Sequence, residues 1–541
     1  MKHKLLSMLI ACGLFTTAFA QPIIKAQKDM GGRNFDFFTS MVLTKDGGRI
    51  VGGYSRSNIS GQKTDSSRGG FDYWIVKLDS ANKIEFDKTI GGSKDDILTA
   101  LQQTSDGGYI LGGYSNSNIS GEKTQNMKGG LDYWIVKLDA TGNIQFDKTI
   151  GGNGNDDLTA MQQTSDGGYI LGGYSFSSKS GNKSENGRGF ADYWVVKLDR
   201  NGNFQWDKTV GGNNEDFFTS LQQTTDGGYI LGGESFSDIS GEKSENNHGS
   251  DQFSDFWIVK LDSIGNIQFD KTIGGNSTDN LDALQQTSDG GYILGGHSFS
   301  DISGDKTENS RGSFGEADYW IVKLNSRGNI IFDKTYGGSD LDILTSIQQT
   351  NDGGYILGGR SFSNISFEKS ENTRGINDDD YWIVKVDFKG NKQFDKTIGG
   401  TDFDECYSIK ETGKNRYLAG GWSLSNATGD KTSKSRGERD YWLVDILFKT
   451  ASPRTAATAE NIAAEKIPVS TFITYPNPAK DVLHIKSENK AIMVLSDASG
   501  KIVLTQNING NADINIHGLQ PGMYFLKSEI TGEEKKVLIE R

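Results

Sequence analysis

An Asp-Tyr-Trp element, once Asp-Phe-Trp, occurs seven times in the 541-residue chain. Its tryptophans are Trp74, Trp134, Trp194, Trp257, Trp320, Trp382 and Trp442, at intervals of 60, 60, 63, 63, 62 and 60. A repeat of this length constrains the fold more than length or composition does. Each unit must bury its faces against copies of itself. The units keep one internal order. NIQFDKTIGG (143–152) is followed by DDLTAMQQTSDGG (156–168), then YILGGYS (169–175), a polar loop, and DYWVVKLD (192–199). Each apolar run is short, β-branched or aromatic, and bounded by Gly or Asp, which is the pattern of a strand. SDGG and LDATGN (138–143) read as hairpin turns, with Gly142 at the left-handed position. No 3.6-residue periodicity is present, which argues against a helical solenoid. Gly is 70 of the residues and Pro only 6, as tight turns between strands require. Four strands per unit, repeated radially, predict an all-β fold, a seven-bladed β-propeller over 21–447.

We label the strands a (DDLTAMQQTS), b (YILGG), c (DYWVVKL) and d (NIQFDKT). Strands a, b and c each occur seven times, but d follows only the first six c strands. The missing one stands at the other end: IIKAQKDMGG (23–32) aligns with IEFDKTIGG (84–92). The propeller is therefore expected to be closed by the N-terminal strand. A charge swap points the same way. Lys77, Lys137, Lys197, Lys260, Lys323 and Lys385 in strand c precede Asp87, Asp147, Asp207, Asp270, Asp333 and Asp395 in strand d. The seventh c strand has Asp445, and its expected partner has Gln27 flanked by Lys25 and Lys28. Cross-strand pairing between c and d would keep the sign balance.

YILGG followed by DYW-IVKLD resembles the kelch repeat over about 24–447: an apolar run, a Gly pair, an aromatic strand, a turn. Kelch units are shorter and carry Trp in the last strand, where this chain has Phe86, Phe146 and Phe269, with Trp206 once. The resemblance implies the propeller fold and nothing about partners.

Residues 1–20 have basic residues, an apolar run and Ala18-Phe19-Ala20, the form of a signal peptide. Leu9-Ile10-Ala11-Cys12 is a rival reading, a lipoprotein box. No other segment is apolar for long enough to span a membrane, so no transmembrane segment is expected in the mature protein. An Ala- and Thr-rich linker over 448–470 leads to 471–541, with TYPNPAKD (474–481), SDASGKIV (496–503), LQPGMYFLK (519–527) and KKVLIER (535–541). These motifs, in this order, resemble the type A C-terminal sorting domain of the type IX secretion system. Alternating apolar strands suit a small C-terminal β-sandwich. The resemblance implies the type IX machinery as a partner, passage through the outer membrane, removal of the tail, and a secreted or cell-surface location.

The net charge of −13 argues against nucleic acid as a partner. Cys12 and Cys406 cannot form a disulfide framework, and Cys406 replaces Leu or Phe of strand a, as a core residue would. The histidines form no HExxH pattern, and no nucleophile-elbow motif occurs. No catalytic residue and no cofactor is identified, whether the chain is an enzyme stays open, and a monomer is expected.

Three features mark candidate sites. Asp36, Asp96, Asp156, Asp216, Asp279, Asp342 and Asp404 each stand four residues after a Gly pair. They read as a cation-binding ring or as repeated turn residues. The b–c loops are 18, 18, 18, 21, 21, 20 and 18 residues long, and every length change among the repeats falls there. They carry two cationic frames. Lys63, Lys123, Lys183, Lys243, Lys306, Lys369 and Lys431 form the first, and Arg68, Lys128, Arg188, His248, Arg311, Arg374 and Arg436 the second. These read as a basic crown for an acidic ligand or as pairing with Glu and Asp inside the loop. Finally, the position after the Gly pair diversifies: Tyr54, Tyr114, Tyr174, Glu234, His297, Arg360 and Trp422. Two residues on stand Arg56, Asn116, Phe176, Phe236, Phe299, Phe362 and Leu424. Glu234, Phe236, His297, Phe299, Arg360, Phe362 and Trp422 are the ligand-binding candidates. Aromatic and charged groups side by side suit a glycan or a surface protein. A polysaccharide hydrolase or lyase at the propeller mouth is the alternative, and a structural adhesin or surface-layer component the third.

Overall fold

A computed structural model describes residues 22–250, 252–312, 315–448, 472–475, 479–487, 490–497, 501–528 and 534–540. The expected leader at 1–20, the linker from 449 to 470, and Pro476 and Pro478 of the tail motif lie outside them. The chain divides into two units, the first ending at residue 453. Among the described residues there are strands and no helices, so none that is long and apolar enough to cross a membrane.

The first unit holds seven four-stranded antiparallel sheets. The first sheet runs Asp36–Leu43, Arg49–Ser55, Asp72–Leu78 and Ile84–Ile90, as strands a, b, c and d. Five more sheets repeat this order along the chain. The seventh contains Asp404–Gly413, Arg416–Ser423 and Asp440–Leu447, and its fourth strand is Ile23–Met30. That strand pairs antiparallel with Asp440–Leu447, from Ile23 opposite Leu447 to Met30 opposite Tyr441.

The lysines of strand c and the aspartates of strand d do not pair with each other as expected. Lys77 lies opposite Phe86, and Asp87 lies opposite Val76. A one-residue offset puts the two charges on opposite faces of the sheet. Lys77 instead reaches Asp46 in the a–b turn at 2.8 Å. Asp87 accepts the Trp74 indole N–H at 3.1 Å and the Thr64 backbone N–H at 2.9 Å. In the seventh sheet Asp445 pairs with Arg416 of strand b, and Gln27 accepts the Trp442 indole N–H at 3.2 Å.

The c strands explain the tryptophans. Tyr73, Trp74, Ile75 and Val76 are all 0 % exposed, so both faces of strand c are covered. The Gly pair of strand b has a matching cause. A Cβ on Gly113 would stand 1.9 Å from the Ile97 carbonyl oxygen, and one on Gly112 would stand 2.7 Å from Leu158 of the next sheet. Any larger residue would push the sheets apart.

Repeated hydrogen bonds join successive sheets. The Tyr73 hydroxyl donates to the Trp134 carbonyl at 2.9 Å, and Tyr133 to Trp194 at 3.0 Å. Tyr381 donates to Trp442 and Tyr441 to Trp74, each at 3.0 Å, so the seventh sheet touches the first. A β-bulge in each a strand, such as that between Leu98 and Ala100, leaves one residue outside the ladder. Thr99 at that bulge donates to the Leu158 carbonyl at 2.7 Å. The result is a propeller-like succession of sheets. The b–c loops and d–a connections emerge at one end of the sheets and the hairpin turns at the other. In those turns Gly47, Gly107 and Gly142 have φ of 81°, 87° and 83°, as the sequence demands.

The second unit has a three-stranded sheet of Phe472–Tyr475, Val482–Ser487 and Ala512–Asn515. A four-stranded sheet runs in the order Ile502–Asn509, Lys490–Asp497, Gly522–Ser528, Glu534–Ile539. Leu483, Ile485, Met493, Leu495, Leu526 and Val537, from both sheets, form one buried core.

Candidate functional site

The seven turn aspartates are enclosed separately. Asp36 accepts the Gly32 N–H at 2.6 Å and the Ser57 hydroxyl at 3.1 Å. The same Gly bond holds Asp96, Asp156, Asp216, Asp279, Asp342 and Asp404. All are buried. Burial pushes Asp36, Asp216 and Asp342 up to about 6 and Asp404 to about 7, against the pull of these hydrogen bonds. Among the described residues no group of three or more His, Cys, Asp or Glu is placed to hold a metal ion. The geometry is that of a repeated turn residue.

The first cationic frame is not a crown. Lys63, Lys123, Lys183, Lys243, Lys306, Lys369 and Lys431 are buried. The Lys183 ammonium donates to Thr209 of strand d at 2.9 Å, and Lys123 stands 5.1 Å over the Trp134 ring. Burial depresses Lys63, Lys123 and Lys183 to about 8. The second frame pairs partly inside its own loop, as Arg188 does with Glu185 at 3.0 Å. In five of the seven its larger role is to latch one loop to the next, whereas Lys128 donates to the Thr149 carbonyl of its own sheet and Arg436 meets Asp29 of the N-terminal strand. Arg68 meets Glu122 at 2.7 Å, Arg188 meets Glu242 at 2.7 Å, His248 meets Asp305 at 3.3 Å and Arg374 meets Asp430 at 2.9 Å. Each part-exposed pair contributes little alone, but together they tie neighbouring loops to one another.

The diversified position belongs to strand b, not to the loop. Strand b extends through it to Ser115 in the second sheet, and Tyr114 pairs with Ile97 on one side and Tyr133 on the other. Its side chains therefore sit between neighbouring sheets, at the loop-bearing end. In sheets four and five, and again in sheets six and seven, they connect. His297 meets Asp282 at 2.8 Å and faces Asn280 at 3.4 Å. Ser254 donates to Glu234 at 3.3 Å and to Asn280 at 3.0 Å. Arg360 pairs with Glu405 and stands 3.5 Å from Asp379. The Tyr407 hydroxyl donates to Glu405 at 2.8 Å.

Burial and the Asp282 charge push Glu234 up to about 7. Burial opposes the His297 cation, but Asp282 overrides it and holds the ring above the usual histidine value. Burial and Glu405 push Asp379 up to about 8. A carboxyl group near 7 beside a histidine can give or take a proton at neutral pH.

The remaining candidates are placed differently. Trp422 is 3 % exposed, with the Arg439 guanidinium 4.1 Å over its ring, so it offers no open stacking surface. Phe236, Phe299 and Phe362 are half-buried at the loop bases. Phe299 lies edge-on to His297 at 6.1 Å, and Phe362 to Phe403 at 6.3 Å.

Five residues of the cluster were missed in the sequence: Asp282, Asp379, Glu405, Tyr407 and Arg439. A signal existed for two. The bulge residue of strand a is Thr39, Thr99, Thr159, Thr219 and Thr345 in five repeats, and Asp282 and Tyr407 in the other two.

Comparison with known proteins bears on the tail. Residues 474–540 match the family described as the secretion system C-terminal sorting domain. The protein is therefore one that is secreted or attached at the cell surface. Regulatory protein FlaEY of Caulobacter vibrioides is 23 % identical over 199 residues, which cover 33 % of this chain and 21 % of that protein. A protein of unknown function from Dyadobacter fermentans covers 79 % of this chain and 99 % of its own, at 11 % identity and a TM-score of 0.41. The Pan2 WD40 domain of Neurospora crassa covers 79 % of this chain and 92 % of its own, at 11 % identity and a TM-score of 0.40.

Proposed function

We propose that the first unit is a closed seven-bladed β-propeller of kelch-like repeats that binds a glycan or surface protein through the loop-bearing end of sheets four to seven. A signal peptide at 1–20 and the type IX tail carry it out of the cell, where it acts as a monomer. One observation carries the binding reading. A scaffold that otherwise repeats its residues departs from them together at Glu234, Asp282, His297, Arg360 and Tyr407, all at one end, where Asp379 and Glu405 join them. In sheets four to six the hairpin-turn glycines and the Tyr-Ile-Leu-Gly-Gly run of strand b do not depart. The aromatic bases Phe236 and Phe299 flank that cluster.

A glycan array probed with the mature protein tests this. Binding should fall about tenfold or more in Phe236→Ala and Phe299→Ala, the loss of a stacking contact and part of its desolvated surroundings. A positive signal that both variants leave intact would place the ligand elsewhere. The hydrolase reading has its own support in Glu234 near 7 beside Asp282 and His297. It requires polysaccharide turnover that Glu234→Gln abolishes. A purely structural adhesin would show neither ligand nor turnover.

A further inference from the structure

The hairpin end of the sheets is built differently from the loop end. Each a strand finishes in Gln-Gln-Thr in five consecutive repeats. The first of these glutamines stitches its sheet to the next. The Gln162 side-chain carbonyl accepts the Gln223 backbone N–H at 2.6 Å, and Gln222 accepts that of Gln286 at 2.6 Å. Gln285 accepts Gln349 at 2.7 Å and Gln348 accepts Glu411 at 2.8 Å, and Gln102 serves Gln163 in the same way. This fixes the orientation of every amide. The carbonyl end is spent on the neighbouring sheet, so the NH2 end is the one left over. The second glutamine of four of the pairs returns its NH2 to its own turn, as Gln163 does to the Gly167 carbonyl at 3.2 Å. Among the described residues no such bond holds the NH2 groups of Gln102, Gln162, Gln222, Gln285 and Gln348. None of them is sealed from solvent either.

Lys410 occupies the same register position in the seventh sheet. It lies opposite Leu418, as Gln162 lies opposite Ile170 and Gln222 opposite Ile230. A lysine cannot accept the stitching bond, so its ammonium adds only donors. It is half-buried, has no carboxylate partner among the described residues, and burial alone depresses it below the ordinary lysine value. A depression of about 520 Å³ opens at this end of sheets three to six, lined by Gln162, Gln222, Gln223, Gln286, Gln349 and hydroxyl residues, and Gln348, the last glutamine of the row, accepts the backbone N–H of Glu411, the residue next to Lys410. In a chain of net charge −13, an ammonium with no carboxylate partner among the described residues, beside a row of amide donors, is a specific arrangement.

We propose that the hairpin end carries an oxyanion site, in which Lys410 and the free amide NH2 groups of the glutamine row receive a carboxylate, phosphate or sulfate group. The charge of Lys410 supplies the attraction, and the pre-oriented amides supply hydrogen bonds with no reorganisation of the ring. The site is independent of the loop-end reading, since it lies at the other end of the same sheets.

The test uses the full mature chain at constant chloride ionic strength. Inorganic sulfate, inorganic phosphate and glucuronate are titrated separately by calorimetry, so the three arms separate the sources of the oxyanion. At least one should saturate below about 10 mM. Lys410→Gln installs the residue that five other repeats carry at this position, so the fold is preserved, and it should weaken that anion about tenfold or more. Lys410→Arg should retain binding. Failure of all three anions to saturate, or equal affinity in Lys410→Gln, would overturn the proposal.

Discussion

Replacing Asp29 with Ala should destabilise the first unit by about 3–5 kcal/mol, the usual cost of removing one partner of a buried ion pair. Asp29 lies on the N-terminal strand, opposite Trp442. Its carboxylate meets the Lys431 ammonium at 3.1 Å, with the two side chains 2 % and 0 % exposed. It also meets Arg436 at 2.7 Å. Alanine would strand a buried ammonium and release the loop that Arg436 holds. The other six sheets show what a tolerated residue looks like. Thr89 occupies the equivalent place opposite Trp74, and its hydroxyl accepts from Lys63. Asp29→Thr should therefore lose much less stability than Asp29→Ala. Urea unfolding followed by tryptophan fluorescence measures both. Equal stability of Asp29→Ala and the parent would mean that the N-terminal strand does not sit in the seventh sheet in solution.

Deleting residues 472–541 should almost abolish extracellular protein and leave the first unit folded inside the outer membrane. The matched sorting domain ends one residue short of the C-terminus, and the unit that holds it has its own core of Leu483, Ile485, Leu495 and Val537. Among the described residues, the hydrophobic clusters that fill the seven sheets contain none beyond Phe448. Cell fractionation with immunoblotting reads the location, and protease resistance of the retained fragment reads its fold. Undiminished release would remove the tail as the export determinant.

The strands, their order and the displaced fourth strand were legible because seven noisy copies of one pattern reinforce each other. The tail was legible because its motifs fall in a fixed order at the chain end. What stayed hidden is which way a polar side chain points. The Lys63 row reads in the sequence as a basic crown or as pairing with Glu and Asp inside the loop, since Lys-Ser/Thr within a polar loop gives no sign of burial. In the structure the loop folds inward there, and each lysine lies over its tryptophan. The Lys77 and Asp87 pair failed for a related reason. Alignment of two strands gives neighbours along the chain, but pairing depends on register, and a one-residue offset reverses the face. Asp379 and Arg439 precede the Asp of the DYW element, a position that varies from Phe71 to Ala191 to Ser254 and so carries no pattern to depart from. Only the fold shows that it borders Arg360 in one sheet and Trp422 in another.

The central claim is that the two ends of the repeat region meet, so that the N-terminal strand completes the last sheet. Ile23 and Leu447 are opposite one another and both half-buried. Directly opposed residues on antiparallel strands have Cα separations of about 4.5–5.5 Å, within reach of a disulfide. Burial pushes the Cys406 thiol up to about 12, so it will not compete. In the double variant Ile23→Cys/Leu447→Cys, oxidation of the folded monomer should give a single intramolecular disulfide, seen as a mobility shift on a non-reducing gel and as a joined peptide containing positions 23 and 447. Two free thiols in the folded monomer after oxidation, or a disulfide formed only between molecules, would contradict it.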